Sequence, residues 1–249
     1  NLKEDNALIF KSKKLTLATG AIASPILISK FIDKKIETRI QHNPAYFFSF
    51  FNFNKYFWKL NEKFVYLSNA EYFINDKYLK TLFGQIYPSF ILSNLILRDR
   101  FKFLELIPAF LLNLIKRQIC LSTIYLDGSF SSTYMKINKN YVKIYSKNFN
   151  KHGKYTKCLK RIIKRYFNLI LPFGSTIIEN GTDAHYGCTI PYSKNNKILT
   201  TNEYGKIKSL NNNLTIIDGS ILKNLPSKPL TFTIMANAFR IGKNEYHKI

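Results

Sequence analysis

The sequence contains few cysteines, and they follow no pairing pattern. Only three of the 249 residues are cysteine, Cys120, Cys158 and Cys188, and no two of them form a CxxC motif. A sparse, odd and widely spaced set argues against both a disulfide scaffold and a zinc site, so we expect no metal. The same scarcity favours a reducing compartment.

Apolar runs long enough to cross a bilayer are also missing. The candidates at 81–97 and 103–115 are interrupted by polar residues or too short. Residues 15–29 follow three lysines as in a signal peptide, but the run is internal and contains Gly20, so it predicts a buried strand and turn. We therefore expect a cytoplasmic protein, and attachment to a membrane surface stays an alternative.

Acidic residues are scarce relative to basic ones. Aspartate and glutamate number 15 against 38 lysines and arginines, which gives a net charge of +23. Such a charge is typical of proteins that bind nucleic acid or anionic membranes. Here lysine accumulates together with asparagine, isoleucine and aromatic residues along the whole chain, as an AT-rich genome produces. We expect no specific nucleic-acid partner and keep a basic polyanion-binding protein as an alternative hypothesis.

The chain is rich enough in apolar residues to build a core of one large domain or two small ones. Hydrophobic residues make up 46% and aromatic residues 15% of the sequence. No internal repeat and no low-complexity linker divides it. The local patterns predict a strand at 14–18, a helix from Ser24-Pro25 to about residue 32, a loop at 41–54, helices at 73–97, 101–115 and 155–171, and antiparallel strands within 118–147.

Three short motifs stand out from this background. Ala-Thr-Gly-Ala at 18–21 follows an apolar run, and His-Tyr-Gly-Cys-Thr occupies 185–189. The β-branched run at 214–217 ends in Asp-Gly-Ser, and Thr-Ile-Met-Ala follows at 233–236. A strand that leads through a turn to a helix start presents backbone N–H groups and the positive end of the helix dipole. Such a junction suits a phosphate group or an electron-rich ring.

In this order the three motifs resemble those of the glucose–methanol–choline oxidoreductases, flavoenzymes that remove a hydride from an alcohol carbon. The resemblance implies FAD as cofactor and a small alcohol or sugar-like substrate. It also implies an α/β (α+β) fold in which a discontinuous flavin-binding lobe, 1–30 and 211–249, is interrupted by a substrate lobe at 31–210 with antiparallel sheet and helices. The family's N-terminal GxGxxG motif is absent. The sequence therefore matches the C-terminal portion of a longer flavoenzyme.

The candidate catalytic residue is His185. An imidazole has an ordinary pKa of about 6.5 and suits removal of the substrate's hydroxyl proton. The family places a second histidine or asparagine before the Thr-Ile-Met-Ala segment, and the matching position here is Leu230, with Lys228 as the nearest polar residue. Leucine can neither accept a proton nor donate a hydrogen bond. This substitution supports a second hypothesis, a catalytically inactive relic or structural subunit of a flavoenzyme.

The remaining candidates concern the cofactor. A carboxylate after a strand can accept a hydrogen bond from a ribityl hydroxyl, and a glycine amide can approach a pyrophosphate closely. Threonines that precede a helix start can cap it and leave backbone N–H groups for the flavin. The sequence leaves the substrate, the choice between oxidase and dehydrogenase, and the oligomeric state open. The cofactor-binding candidates are Gly20, Ala21, Asp218, Gly219, Thr231, Thr233 and Met235.

Overall fold

A computed structural model places helices and three β-sheets within one chain. This mixture confirms the predicted α+β class. The structure describes residues 11–32, 34–51, 68, 70–88, 106–111, 119–147, 152–167, 176–177, 185–194, 199–207, 210 and 213–246.

The elements are named in chain order, and short 3₁₀ turns lie at Gly128–Phe130 and Gly219–Ile221. The strands and helices are β1 (Leu15–Leu17), α1 (Gly20–Ile32), β2 (Ile36–His42), β3 (Ala45–Phe51), β4 (Ala70–Asp76), β5 (Lys80–Pro88), β6 (Ile119–Tyr125), β7 (Thr133–Ile137), β8 (Val142–Ser146), α2 (His152–Tyr166), β9 (Thr176–Ile177), β10 (Tyr186–Gly187), β11 (Leu214–Ile216) and α3 (Thr231–Tyr246).

The smallest sheet joins the two ends of the chain. β1 pairs with β11 in parallel, with Leu15 opposite Leu214 and Leu17 opposite Ile216. Ile28 of α1 and Ile241 of α3 are fully buried in the same hydrophobic cluster as these strands. The predicted strand near residue 15 is confirmed, and burial of apolar side chains from both helices stabilises the pair.

The other two sheets are antiparallel. One has the strand order β10-β2-β7-β8 and the other β4-β5-β6-β3-β9. The strands predicted within 118–147 are confirmed as β6, β7 and β8. Residues 126–132 carry the chain from the second sheet to the first, because β6 pairs with β3 and β5 whereas β7 pairs with β2 and β8.

Helix α2 covers one face of the five-stranded sheet. Leu159, Ile162 and Ile163 are buried against the inward-facing residues of the strands, including Phe48 and Ile124. The basic residues of α2 lie on its exposed side, as its helical period predicts. The helix predicted at 155–171 is confirmed as far as residue 166, and 168–171 lie outside the described residues. No described helix is long and apolar enough to cross a membrane.

Two local predictions are wrong. The helix predicted at 73–97 is a β-hairpin of β4 and β5 as far as residue 88, and the carboxylate of Asp76 closes its turn by accepting hydrogen bonds from the N–H groups of Tyr78 and Leu79. The loop predicted at 41–54 is the end of β2 followed by β3 as far as residue 51.

The remaining parts of these predictions cannot be compared with the structure. Residues 52–54 and 89–97 lie outside the described residues, and so does most of the helix predicted at 101–115. Within that last stretch, helical residues are described at 109–111.

Helix α1 begins earlier than predicted. It starts at Gly20, which adopts a φ of 89°, and Pro25 lies inside the helix rather than at its first position. Positive φ is readily available only to glycine, so Gly20 turns the chain from β1 directly into the helix. The carboxylate of Asp218 accepts a hydrogen bond from the Gly20 N–H at 2.9 Å and takes the capping role expected of Ser24.

Candidate functional site

The three sequence motifs meet in one place, which we name the junction (residues 17–25, 186–192 and 216–221). β1 and β11 are parallel, so their carboxyl ends lie at the same edge of the sheet. The turn at Gly20 and the turn at Asp218 follow these two ends directly. In open parallel sheets this edge is where ligands bind.

The Asp218 carboxylate links the first and third motifs. One oxygen accepts hydrogen bonds from the Gly20 N–H at 2.9 Å and from the Ser24 hydroxyl at 2.5 Å. The other accepts from the Ser220 N–H at 2.9 Å and from the Ser220 hydroxyl. Asp218 is buried, and these protein donors engage both of its oxygens. Its predicted contact with a ribityl hydroxyl stays a prediction.

A hydrogen bond from Thr189 connects the second motif to the first, next to Pro25 of α1. Because Pro25 has no N–H, the carbonyl of Ala21, four residues earlier in α1, has no helical donor. The hydroxyl of Thr189 donates a buried hydrogen bond of 2.8 Å to that carbonyl. The backbone carbonyl of Thr189 in turn accepts a hydrogen bond from the hydroxyl of Thr38 at 2.6 Å. Thr189 thus satisfies a carbonyl that the helix itself cannot.

The second and third motifs run side by side. The N–H groups of Cys188, Ile190 and Tyr192 donate to the carbonyls of residues 219, 220 and 221 at 2.9–3.0 Å. On its other side, β10 pairs with β2, so that Gly187 lies opposite Gln41. This segment is therefore paired with β2 at residues 186–187 and bonded to residues 219–221 from residue 188 onwards, which fixes its backbone in the junction.

Close packing explains the small residues of this segment. A Cβ at Gly187 would lie 2.6 Å from Leu225 Cδ1 and 3.1 Å from the Gly219 carbonyl oxygen, so a larger residue would require its neighbours to shift. Cys188 has a φ of 61°, and burial raises the pKa of its thiol to about 12. A thiol that stays protonated is not a nucleophile, so the structure gives Cys188 a packing role.

His185 lies at the start of this bonded segment and is exposed. Its ring meets the ring of Tyr125 edge-on at a centroid distance of 6.4 Å. Tyr125 belongs to β6 and stacks on Phe83 of β5 at 6.1 Å. Hence the candidate base borders both the junction and the five-stranded sheet. Residues 178–184, which precede His185, lie outside the described residues.

Leu230 is buried rather than directed to an open site. It is 4% exposed and packs with Cys188 and Leu225. Its carbonyl accepts a hydrogen bond from the N–H of Ile234 at 2.9 Å, so Leu230 is the N-cap residue of α3. Lys228, the polar alternative, is exposed and places its ammonium group 4.8 Å above the ring of Phe73.

The segment that carries Leu230 is attached to the sheets by two residues that the sequence patterns did not reveal. The side chain of Gln41 accepts the N–H of Leu225 at 3.0 Å. The side-chain amide of Asn43 donates to the carbonyls of Leu126 and Pro226, both at 2.9 Å. These partners are more than 80 residues apart in the chain, so no local motif marks them.

The other cofactor candidates divide into buried and exposed positions. Thr231, Thr233 and Met235 are exposed within the first turns of α3, so the threonines follow the helix start instead of preceding it as predicted. The helix starts earlier because Leu230 already accepts its first hydrogen bond. Ala21 is buried in α1. Gly219 is buried, and a Cβ there would lie 3.1 Å from Ile234 Cδ1, so Gly219 packs closely against α3.

The regions that carry the cofactor candidates differ in how accessible they are. The exposed first turn of α3 leaves a helix N-terminus accessible to an electron-rich ring or an anion. The turn at Gly219 is covered by protein. Among the described residues, no group of three or more histidine, cysteine, aspartate or glutamate side chains is arranged to hold a metal ion.

Comparison with known proteins supports the fold. No family model matches the sequence, and no curated protein matches it. Among solved structures, the chain is similar to pyridoxine 4-oxidase from Mesorbium loti, with 13% sequence identity and a TM-score of 0.59. The match covers 95% of this chain and 52% of that one, so the chain spans about half the length of the enzyme it resembles. At this identity the likeness is one of fold.

Proposed function

We propose that this chain forms the histidine-bearing part of a FAD-dependent oxidoreductase of the glucose–methanol–choline type, which acts on the CH–OH group of a small alcohol or sugar-like substrate. One observation carries the proposal. Three motifs separated by up to 198 residues come together, and the Asp218 carboxylate bonds two of them directly. The similar solved chain, pyridoxine 4-oxidase, is an oxidase of this family, which supports the same reaction class.

In this proposal His185 is the catalytic base. It accepts the hydroxyl proton as the alcohol carbon loses its hydride, and the chemistry that FAD supplies when bound is acceptance of that hydride. The pairing of residues 186–187 with β2 and the hydrogen bonds from residues 188–192 to residues 219–221 hold the backbone next to His185 in place. The imidazole ring meets the ring of Tyr125 edge-on at a centroid distance of 6.4 Å, and in this proposal that contact orients it.

The environment of Leu230 bears on the choice between this function and the inactive alternative. The side chain lies in an apolar cluster with Cys188 and Leu225, so it contributes no hydrogen bond to a substrate hydroxyl. His185 would then act without a polar partner at position 230, and a slow enzyme is expected. A structural subunit that binds flavin but does not turn over is the second candidate, and the burial of Leu230 favours it.

The deciding experiment uses the protein isolated from its own cells. Bound flavin is measured by its visible absorbance, and bleaching of that absorbance without oxygen is followed after addition of pyridoxine, benzyl alcohol or glucose. We expect bound FAD, bleaching by at least one alcohol, and a bleaching rate about 100-fold or more lower in His185→Ala, because a positioned base contributes about that much. Lys223→Ala, an exposed change outside the junction, is the matched control.

Each outcome has a defined meaning. Absence of bound flavin, together with no uptake of added FAD, contradicts the cofactor proposal. Bound flavin that no alcohol bleaches identifies the structural subunit. Bleaching that stays within about tenfold of the wild-type rate in His185→Ala shows that another group is the base.

A further inference from the structure

A cleft lies between the C-terminal half of helix α1 and the hairpin of β7 and β8. Its volume is about 580 Å³, which falls within the range of small-molecule pockets, roughly 300–1,000 Å³. We name it the α1–β8 cleft, and it is lined by Ile26, Ser29, Lys30, Lys34 and residues 137–142. The junction is built at the N-terminal end of α1, so the cleft shares no residue with it.

The cleft exists because α1 covers only part of the four-stranded sheet. Met135 and Ile137 of β7 are fully buried in a cluster against which Ile26 of α1 packs. Directly opposite them on β8 are Ile144 and Val142, which therefore share the same face of the sheet. These two side chains are nevertheless 45% and 41% exposed. The cover provided by α1 thus ends at β7, and β8 leaves an apolar strip open beside the helix.

The polar part of the lining is basic or uncharged. Lys30 lies in the last turn of α1, Lys34 follows the helix, and Lys139 lies in the turn between β7 and β8. All three side chains are exposed, and Asn138 and Asn140 add amide groups from the same turn. None of the described residues that line the cleft is acidic. The cleft therefore combines an apolar wall with positive charge at its rim.

Single exposed lysines need no explanation in a chain with 38 basic residues. The basic residues of α2, for example, follow each other along the solvent side of one helix. At the cleft, by contrast, Lys30 and Lys139 come from segments about 100 residues apart in the sequence and line one cavity. The helix dipole favours a lysine in the last turn of α1, but it does not account for Lys139 in a turn between strands.

We infer that the α1–β8 cleft binds a small amphiphilic anion, a molecule that carries a carboxylate or phosphate group on an apolar chain. The anionic group lies among the ammonium groups of Lys30, Lys34 and Lys139, which bind either anion as point charges. The apolar chain lies against Ile26 and Val142 and removes their exposed surface from water. This inference goes beyond the proposed function and does not depend on it.

Titration calorimetry with five probes tests both parts of the ligand on the protein isolated from its own cells. Decanoate and decyl phosphate, each below its micellar concentration, carry both parts. Butyrate and inorganic phosphate lack the long chain, and decanol lacks the charge. We expect at least one ten-carbon anion to bind at least about tenfold more tightly than each of these three, because it buries more methylenes or adds charge attraction. The tighter of the two identifies the head group.

A pair of matched variants separates the cleft from the general charge of the protein. Lys30→Gln/Lys139→Gln removes two charges from the rim, and we expect the affinity for the tighter anion to fall at least about tenfold. Lys157→Gln/Lys160→Gln removes the same charge from the exposed side of α2 and should change that affinity less than about twofold. Equal losses in both variants would show non-specific attraction to a protein of net charge +23 and overturn the inference.

A decanoate with a diazirine at the end of its chain locates the bound probe. After irradiation, we expect mass spectrometry to find the label within residues 26–32 or 137–144. A label confined to the exposed side of α3, where Phe232 and Phe239 are 84% and 74% exposed, would place binding elsewhere and overturn the inference.

Three results of the binding measurements would also overturn it. They are no binding of either ten-carbon anion, binding of decanol as tight as that of the anions, and binding only to vesicles of phosphatidylglycerol and phosphatidylcholine. The last result would identify a membrane surface instead of a small ligand.

Discussion

The junction and the five-stranded sheet are stabilised in different ways. In the junction, β1, β10 and β11 are only two or three residues long, and buried hydrogen bonds between distant residues join them. In the five-stranded sheet, β3, β4 and β6 are each seven residues long and pair in continuous register. Phe48 and Phe50 meet the ring of Phe167 at 5.0 Å on the face covered by α2.

This difference implies different sensitivities. A sheet held by close packing is sensitive to lost volume, because a cavity forfeits both hydrophobic transfer energy and dispersion contacts. A junction held by buried hydrogen bonds is sensitive to a lost acceptor, because its donors are then left without partners. Matched substitutions in the two regions test this difference, because each kind of loss changes the free energy of unfolding.

The largest effect is expected from Phe48→Ala in the sheet. Phe48 is 1% exposed, and its removal leaves a cavity, so the free energy of unfolding should fall by about 4 kcal/mol in urea denaturation. Its neighbour Phe47 lies on the opposite face of β3 and is 38% exposed. Phe47→Ala should cost less than about 1.5 kcal/mol. Equal costs would show that the packed face does not dominate the stability of the sheet.

The next effect concerns Asp218→Ala in the junction, with an expected loss of about 3 kcal/mol. The change leaves the Gly20 N–H and the donors of Ser24 and Ser220 without their acceptor in a buried site. Asp76→Ala removes a carboxylate that accepts two N–H groups in a hairpin turn near solvent, and about 1 kcal/mol is expected there. Thermal and urea unfolding of both variants would measure the contrast, and a cost for Asp218→Ala no larger than that for Asp76→Ala would contradict it.

A smaller effect is expected from Thr189→Val, which keeps the volume and removes the hydroxyl. The Ala21 carbonyl loses its donor, so stability should fall by about 1.5 kcal/mol. In a Pro25→Ala background the same change should cost much less, because the backbone N–H restored at position 25 can bond that carbonyl. A double-mutant cycle measures this coupling. Additive costs would mean that Thr189 stabilises the junction in some other way.

The smallest effect concerns pH and the connection between the two antiparallel sheets. Burial by itself raises the pKa of Asp127, but hydrogen bonds from Ser129, the charge of Lys80 and a hydrogen bond from Asn224 outweigh it and hold that pKa below its ordinary value of 3.8. A lowered folded-state pKa contributes stability that is present above 3.8 and is lost as the pH falls through the folded-state value.

The measurement compares the wild type with Asp127→Asn at several pH values. Asp127 pairs at 3.5 Å with the exposed Lys80, and an ion pair with an exposed lysine contributes little, so we expect a difference of less than about 1 kcal/mol at neutral pH. The difference should shrink below about pH 4. A difference that is constant down to acidic pH would show that the charge of Asp127 does not contribute.

The local patterns predicted those elements whose two sides differ. The strand β1, the strands β6 to β8 and the helix α2 each have a distinct periodicity or turn signal, and all are confirmed. The hairpin of β4 and β5 was predicted as a helix because aromatic residues occupy both of its faces. Tyr72 and Phe73 point to opposite sides of the sheet, which removes the alternation of polar and apolar residues that marks a strand. The local pattern does not predict β3 at residues 46–51 for the same reason, because aromatic residues occupy both faces of that strand as well.

The sequence by itself determined the local units of the candidate site. An apolar run that ends in Gly20 and a β-branched run that ends in Asp218-Gly219 specify strands followed by tight turns, and these motifs are recognisable without any tertiary contact. Only the tertiary structure decided their partners: Asp218 bonds Gly20, Thr189 bonds Ala21, and Leu230 is buried. The physical reason is that hydrogen bonds and packing between residues 168 or 198 positions apart depend on how the whole chain folds. The local sequence does not show which distant residues will meet.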